Sequence, residues 1–235
     1  MEPPWPLLLT IACVMPTLFA QQLSEVGASD PRWQLSRIPR RPSHVGLCDE
    51  LIRPMGYPCD ENSVQTKDGF ILGLQRVSAR SEHLRARRGP PVLLQHGLFT
   101  GGDSWFLNSE EQSLGFLLAD SGFDVWVGNV RGTRYSQRHV SLSVSDKEFW
   151  NWSWEELALN DLAAMIDYVH AETGSKVFVV GHSLGTIMSL AAFTQPEIVQ
   201  MVAAAALLCP ISYLEHVTAP LVLRMVAMHL DQVSC

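Results

Sequence analysis

The feature that most constrains this chain is Val177-Phe-Val-Val-Gly181-His182-Ser183-Leu184-Gly185-Thr186, an apolar strand-like run that passes straight through Gly-x-Ser-x-Gly into a helical segment. At so abrupt a turn a Cβ on Gly181 or Gly185 would collide with the neighbouring strand or helix, and the strained geometry lifts the serine hydroxyl above the sheet. The following helix, read from Leu184 to about Gln195, points its N-terminus at Ser183, where free N–H groups favour developing negative charge. The spelling therefore predicts Ser183 as a nucleophile, with Gly181, His182 and Gly185 forming its turn.

Upstream, the strand ending Leu93-Leu-Gln-His96-Gly97-Leu98 runs into a glycine-bearing loop, Phe99-Thr-Gly-Gly-Asp103. Such a loop, placed beside a nucleophile turn, supplies one half of an oxyanion hole, so the expected donors are the N–H groups of Leu98 and Leu184. His182 neighbours the nucleophile on the strand, where its side chain is thrown away from Ser183.

Between these motifs the chain alternates strand and helix. Strands are read at 91–96, 124–129, 176–180 and 202–208, and helices at 110–120 and 153–171. Alternation of this kind gives a mostly parallel sheet covered on both faces. Ahead of it, Ser63-Val-Gln-Thr and Phe70–Val77 flank Lys67-Asp68-Gly69, and Asp-Gly between apolar runs signals a hairpin. Ser153 with Glu156 spells a capping box for the long helix, and Trp152 with Leu157 a staple. The tryptophans at 150, 152 and 154 crowd that point and read as core packing before acyl-chain or membrane contact.

With 47% hydrophobic residues in 235, the chain can bury one sizeable core. A net charge of −7 argues against a nucleic-acid partner, and arginines grouped around 37–41 and 80–88 read as solvated loops. The apolar run Leu7-Leu-Leu-Thr-Ile-Ala-Cys-Val-Met, ending in Thr17-Leu-Phe-Ala20, reads as a secretory signal cleaved after Ala20. It is shorter than the ~20 apolar residues a bilayer demands. Residues 21–45, polar and proline-punctuated, read as a linker or propeptide, and 46–235 as one domain. In an oxidising compartment Cys48 and Cys59 are close enough to bridge a small loop. Asn151-Trp152-Ser153 is the chain's only N-glycosylation sequon, and no Cys/His spacing suggests a metal.

Leu94-Gln-His96-Gly97-Leu98, Gly128-Asn129-Val-Arg131-Gly132-Thr133-Arg134-Tyr-Ser136 with His139, Phe149-Trp150 ahead of Glu155-Glu156, and the Ser183 motif together resemble the acid lipase family of α/β-hydrolases, which includes gastric and lysosomal members. The resemblance starts near Leu47 and reaches about Met228, and Leu184 with Thr186 is closest to the secreted plant triacylglycerol lipase branch. It implies an α/β-hydrolase fold, neutral lipid esters met at a lipid–water interface, a serine nucleophile and no cofactor. It also implies secretion or delivery to an endomembrane or vacuolar lumen. In this fold the triad histidine follows the nucleophile, so His96 reads as structural. Members of the family are longer, and the last strands, the cap and the triad aspartate and histidine have no counterpart here. After Ser183 the only acids are Glu197, Glu215 and Asp231, and the only histidines His216 and His229. The alternative expectation is therefore a catalytically incomplete variant that binds lipid or a partner. Val202–Leu208 is expected to form an apolar sheet edge.

Overall fold

The structure is a computed structural model in which residues 46–87 and 89–212 are described. The expected signal peptide, the 21–45 segment and the candidates Glu215, His216, His229 and Asp231 lie outside the described residues.

The sheet follows from the apolar runs. Its strands are β1 (Cys59–Gln65), β2 (Phe70–Val77), β3 (Pro91–Gln95), β4 (Asp124–Gly128), β5 (Arg138–His139), β6 (Val177–His182) and β7 (Val202–Leu208). They lie in the order β1-β2-β4-β3-β6-β7, with β5 beside β2. β1 and β2 form the expected antiparallel hairpin, turned at Gly69 with φ 98°. From β4 through β3 and β6 to β7 the pairing is parallel. Alternate residues of the central strands face opposite cores, as a period of two dictates. Leu93 and Trp126 pack with Met165, Ile166 and Met188 on one face. Val92, Leu94, Val125 and Val127 pack with Leu47, Phe116 and Ala119 on the other.

β7 ends the strand order among the described residues, and Ala203 to Ala206 are exposed along it. Phe178 on the adjoining strand is exposed too. An uncharged, apolar, unpaired edge of this kind invites association with another strand.

The helices depart from the sequence reading mainly at their ends. The helix expected over 110–120 begins only at Leu114. Ser113 ahead of it is extended, and its Oγ donates to the Asn108 carbonyl at 2.9 Å. The helix expected to reach about Gln195 stops at Ala192, and a second one covers Pro196–Met201. Pro196 forces Gln195 out of the helical region (ψ 115°), which separates the two. The long helix over residues 154–173 carries the expected capping box at Ser153 and Glu156, passes through a π-helical stretch at Leu157–Leu162, and ends at Gly174 with φ 62°. Cys48 and Cys59 are joined in a disulfide with Cα atoms 5.4 Å apart.

A buried ion cluster ties the hairpin to this helix. Arg131, leaving β4, is buried, and Asp161 on the helix accepts hydrogen bonds from its backbone N–H and from Nε and Nη2 at 2.6–2.8 Å. The same guanidinium grips Asp68 of the hairpin turn at 2.7 and 3.0 Å and lies 3.9 Å from the Phe70 ring centroid. Asp68, although partly desolvated, is held down to about 2 by hydrogen bonds from Arg131, Thr66 and Asn160. Complete burial pushes Asp161 up, to about 6, against the pull of Arg131. At neutral pH it remains the anion that the three hydrogen bonds it accepts from Arg131 fit. The arginines at 80 and 85, read as solvated, are exposed; Arg80 pairs there with Glu110 and Asp120, and Arg85 donates to the carbonyls of Ala79 and Arg80.

Candidate active site

Ser183 sits where β6 ends and the Leu184–Ala192 helix begins, with φ 52° and ψ −112°. A non-glycine residue reaches that region only at a cost of about 1–3 kcal/mol, and persists there because its surroundings over-determine it. Those surroundings are tight. A Cβ on Gly181 would stand 2.6 Å from the Gly185 carbonyl oxygen and 3.2 Å from Ser189 Oγ. On Gly185 it would stand 2.6 Å from the Gln95 oxygen and 3.0 Å from that of His96. The glycines thus let strand, turn and helix close onto the end of β3.

Hydrogen bonds then fix the turn from both sides. Ser183 N–H donates to the Leu208 carbonyl at 3.0 Å, so the end of β7 braces the Ser183 backbone. Thr186 Oγ1 donates to the Ser183 carbonyl at 2.6 Å and accepts from Ile211 N–H at 2.8 Å. Gly97 is drawn so close that a Cβ there would lie 3.2 Å from Ser183 Cβ and 3.1 Å from His182 Nδ1. The Leu98 loop is therefore packed directly against Ser183.

This loop has its own strain and its own anchors. Phe99 takes φ 58°, so that Ser183, Phe99 and Cys209 are the non-glycine residues with positive φ among those described. Thr100 Oγ1 donates to the Gly97 carbonyl at 3.0 Å, and Gly102 N–H donates to Asn129 Oδ1 at 2.8 Å. His96 is buried, with Nδ1 2.8 Å from the Gly97 oxygen and Nε2 accepting from Val130 N–H at 3.3 Å. Burial lowers its pKa, and these bonds suit the neutral ring protonated at Nδ1. It pins the loop to the end of β4. His182 stands edge-on to Trp105, with ring centroids 6.5 Å apart.

Leu98 and Leu184 line one cavity of about 40 Å³ together with His96, Thr133, Trp152 and Leu157. Leu184 is the first residue of its helix, so its N–H has no intrahelical partner and lies at the positive end of the helix dipole. Phe99, Thr100 and Thr133 also border a second depression of about 260 Å³ whose wall includes Asp103, Leu107 and Arg134. Among the described residues no side chain hydrogen-bonds Ser183 Oγ, and Glu197 lines a groove formed with Lys67 and Asp167.

Sequence reasoning missed Gly97, Phe99, Thr186 and the Leu208 carbonyl. The His96-Gly97 pair was a usable signal, because a glycine following a strand end marks a close backbone approach. The others depend on contacts between distant segments.

Two family descriptions match the chain: a partial alpha/beta-hydrolase lipase region over residues 48–109 and the alpha/beta hydrolase fold over residues 90–231. Triacylglycerol lipase 1 of Arabidopsis thaliana is 68% identical over 186 residues, 79% of this chain and 47% of that protein. Human lysosomal acid lipase/cholesteryl ester hydrolase is 42% identical over 175 residues, 73% of this chain and 44% of that protein. This chain thus spans about half the length of the relatives it matches. Among solved structures, the Pyrococcus furiosus esterase Pf2001 superposes with a TM-score of 0.55 at 16% identity, covering 82% of this chain and 66% of that one, a likeness of fold.

Proposed function

Because the chain belongs to the α/β-hydrolase fold family, in its acid lipase lineage, we propose that it is a serine ester hydrolase of neutral lipid esters, triacylglycerol foremost. It works at a lipid–water interface, outside the cell or in a lumen reached by the secretory route. The observation that carries this reading is the strained Ser183 turn with the Gly97–Leu98 loop packed against it.

In the first step Ser183 Oγ attacks the acyl carbonyl, and the carbonyl oxygen becomes an anion. The N–H groups of Leu98 and Leu184 receive that charge, an interaction whose loss typically costs on the order of 10²–10³ in rate. The C–O bond to the alcohol then breaks, and water cleaves the acyl-serine. A general base must take the Ser183 proton, since an unassisted hydroxyl is a weak nucleophile. In this fold the base follows the nucleophile in the chain. The mechanism calls on no cofactor.

The alternative reading is a protein that binds lipid or a partner without turnover. Hydrolysis of emulsified triacylglycerol and of a short-chain ester, measured beside flotation of the protein with the emulsion, separates the two. The enzymatic reading expects turnover that Ser183→Ala abolishes while flotation persists. Flotation without turnover in the unmodified protein supports the second.

A further inference from the structure

We propose that Asn151 is the acceptor of an N-linked glycan standing beside the cavity that Leu98, Trp152 and Leu184 line. The inference rests on the secretory part of the reading above and adds a modification that the catalytic chemistry does not use.

The segment Phe149-Trp-Asn-Trp-Ser153 sorts its side chains sharply. Phe149 is buried. Trp150 and Trp152 turn inward, since a Cβ on Gly132 would stand 3.0 Å from one indole ring and 3.1 Å from the other. Their ring N–H groups are both engaged, Trp150 donating to the Val144 carbonyl at 2.8 Å and Trp152 to the Phe149 carbonyl at 2.9 Å. Between them Asn151 is exposed. Its φ of −87° and ψ of 69°, with Trp152 N–H donating to the Trp150 carbonyl at 3.1 Å, describe an inverse γ-turn. Asn151 is therefore the apex of a tight bend, and its side-chain amide makes no hydrogen bond among the described residues. A bulky polar addition there displaces nothing from the core.

Position gives the glycan its meaning. Trp152, the next residue, lines the cavity shared by Leu98 and Leu184. The first sugars would therefore stand beside the mouth of the cavity that receives the oxyanion. They would also keep residues 150–154 in water, because a glycosylated asparagine and bilayer insertion of its neighbours exclude each other. This agrees with the inward packing of Trp150 and Trp152.

Ser153, the hydroxyl residue of the sequon, caps the long helix: its Oγ donates to Glu156 Oε2 at 2.7 Å and accepts from Glu155 N–H at 3.2 Å. Transfer occurs on the extended chain as it enters the lumen, before that cap forms, so the two roles do not compete. The co-reactant is a lipid-linked oligosaccharide diphosphate. The Asn151 amide nitrogen bonds to the sugar C1, the C1–O bond to the diphosphate breaks, the lipid diphosphate departs, and the amide proton passes to the transferase.

The test is translation of the full 235-residue chain in the presence of microsomes, scoring protease protection and an endoglycosidase-sensitive mass increment separately. The expected result is a protected chain with one increment, present in Ser153→Thr and absent from Asn151→Gln and Ser153→Ala. A protected chain without the increment overturns the site alone. Should the chain remain wholly accessible to protease, the secretory premise and this site fall together.

Discussion

Replacing Gly185 by alanine places a methyl carbon 2.6 Å from the Gln95 carbonyl oxygen and 3.0 Å from that of His96. Both obstacles are backbone atoms of the strand end that carries the Leu98 loop, so no side chain can swing aside, and either the helix or the end of β3 must move. Overpacking of this kind costs about 1–3 kcal/mol, and with two carbonyls blocking the methyl the upper part of that range is expected. For a domain of this size that lowers Tm by roughly 4–10 °C. The same displacement shifts Leu184 N–H relative to Leu98 N–H, and misplacement by ~1 Å costs on the order of 10² in rate. Thermal unfolding by far-ultraviolet circular dichroism, with the rate of fluorophosphonate labelling of Ser183 measured alongside, checks both effects. Gly174→Ala is the control: its φ of 62° disfavours a side chain, but nothing lies within 4 Å of the added carbon. It should cost about 1 kcal/mol and leave labelling unchanged. If Gly185→Ala unfolds within a degree of the parent and labels at the parent's rate, the close-packing argument for the elbow is wrong.

Phe99 allows a similar comparison of backbone strain. Because φ is 58°, Phe99→Gly should be more stable than Phe99→Ala by about 1 kcal/mol, the reverse of the order at an ordinary site, as read by urea denaturation. Arg131→Met should cost about 3–5 kcal/mol, since it strands the buried Asp161 carboxylate without its cation; calorimetry would show it. The two carboxylates of this cluster titrate with opposite sign. Asp68 is lowered from 3.8 to about 2, so its contribution is whole above about 3.8 and is lost as the pH falls toward 2. Asp161 is raised to about 6, so its contribution is whole below about 3.8 and is lost as the pH rises through 6. The thermal midpoint should therefore peak near pH 4 and fall from there to about pH 6, and Asp68→Asn should flatten the acid limb; a midpoint that climbs steadily from pH 4 to 8 would contradict this.

The strands were legible because their apolar runs are short, uninterrupted and bounded by turn residues; Val202–Leu208 was read with the limits it has in the fold. Helix ends were less so. Nothing local in 110–113 announces that Ser113 will be extended, and the break at Gln195 required weighing Pro196 against a continuing apolar pattern. The two-residue strand Arg138–His139 and the short helix Glu82–Ala86 went unread, being too short to carry any periodicity. The sequence spelling of the nucleophile turn stands out because its steric demands fall within five consecutive residues. Its bracing does not, since Gly97, Thr186 and Leu208 meet Ser183 only after the sheet assembles. The Arg131 cluster was hidden for the same reason, joining positions 68, 131 and 161.

The most direct test of the central claim, that Ser183 is an activated nucleophile facing an oxyanion hole, is to map the adduct formed when the folded protein meets a fluorophosphonate probe. The account predicts a single phosphonylated peptide carrying Ser183, lost in Ser183→Ala while the circular dichroism spectrum is unchanged. An adduct on another serine, or a folded protein that takes none, would contradict it.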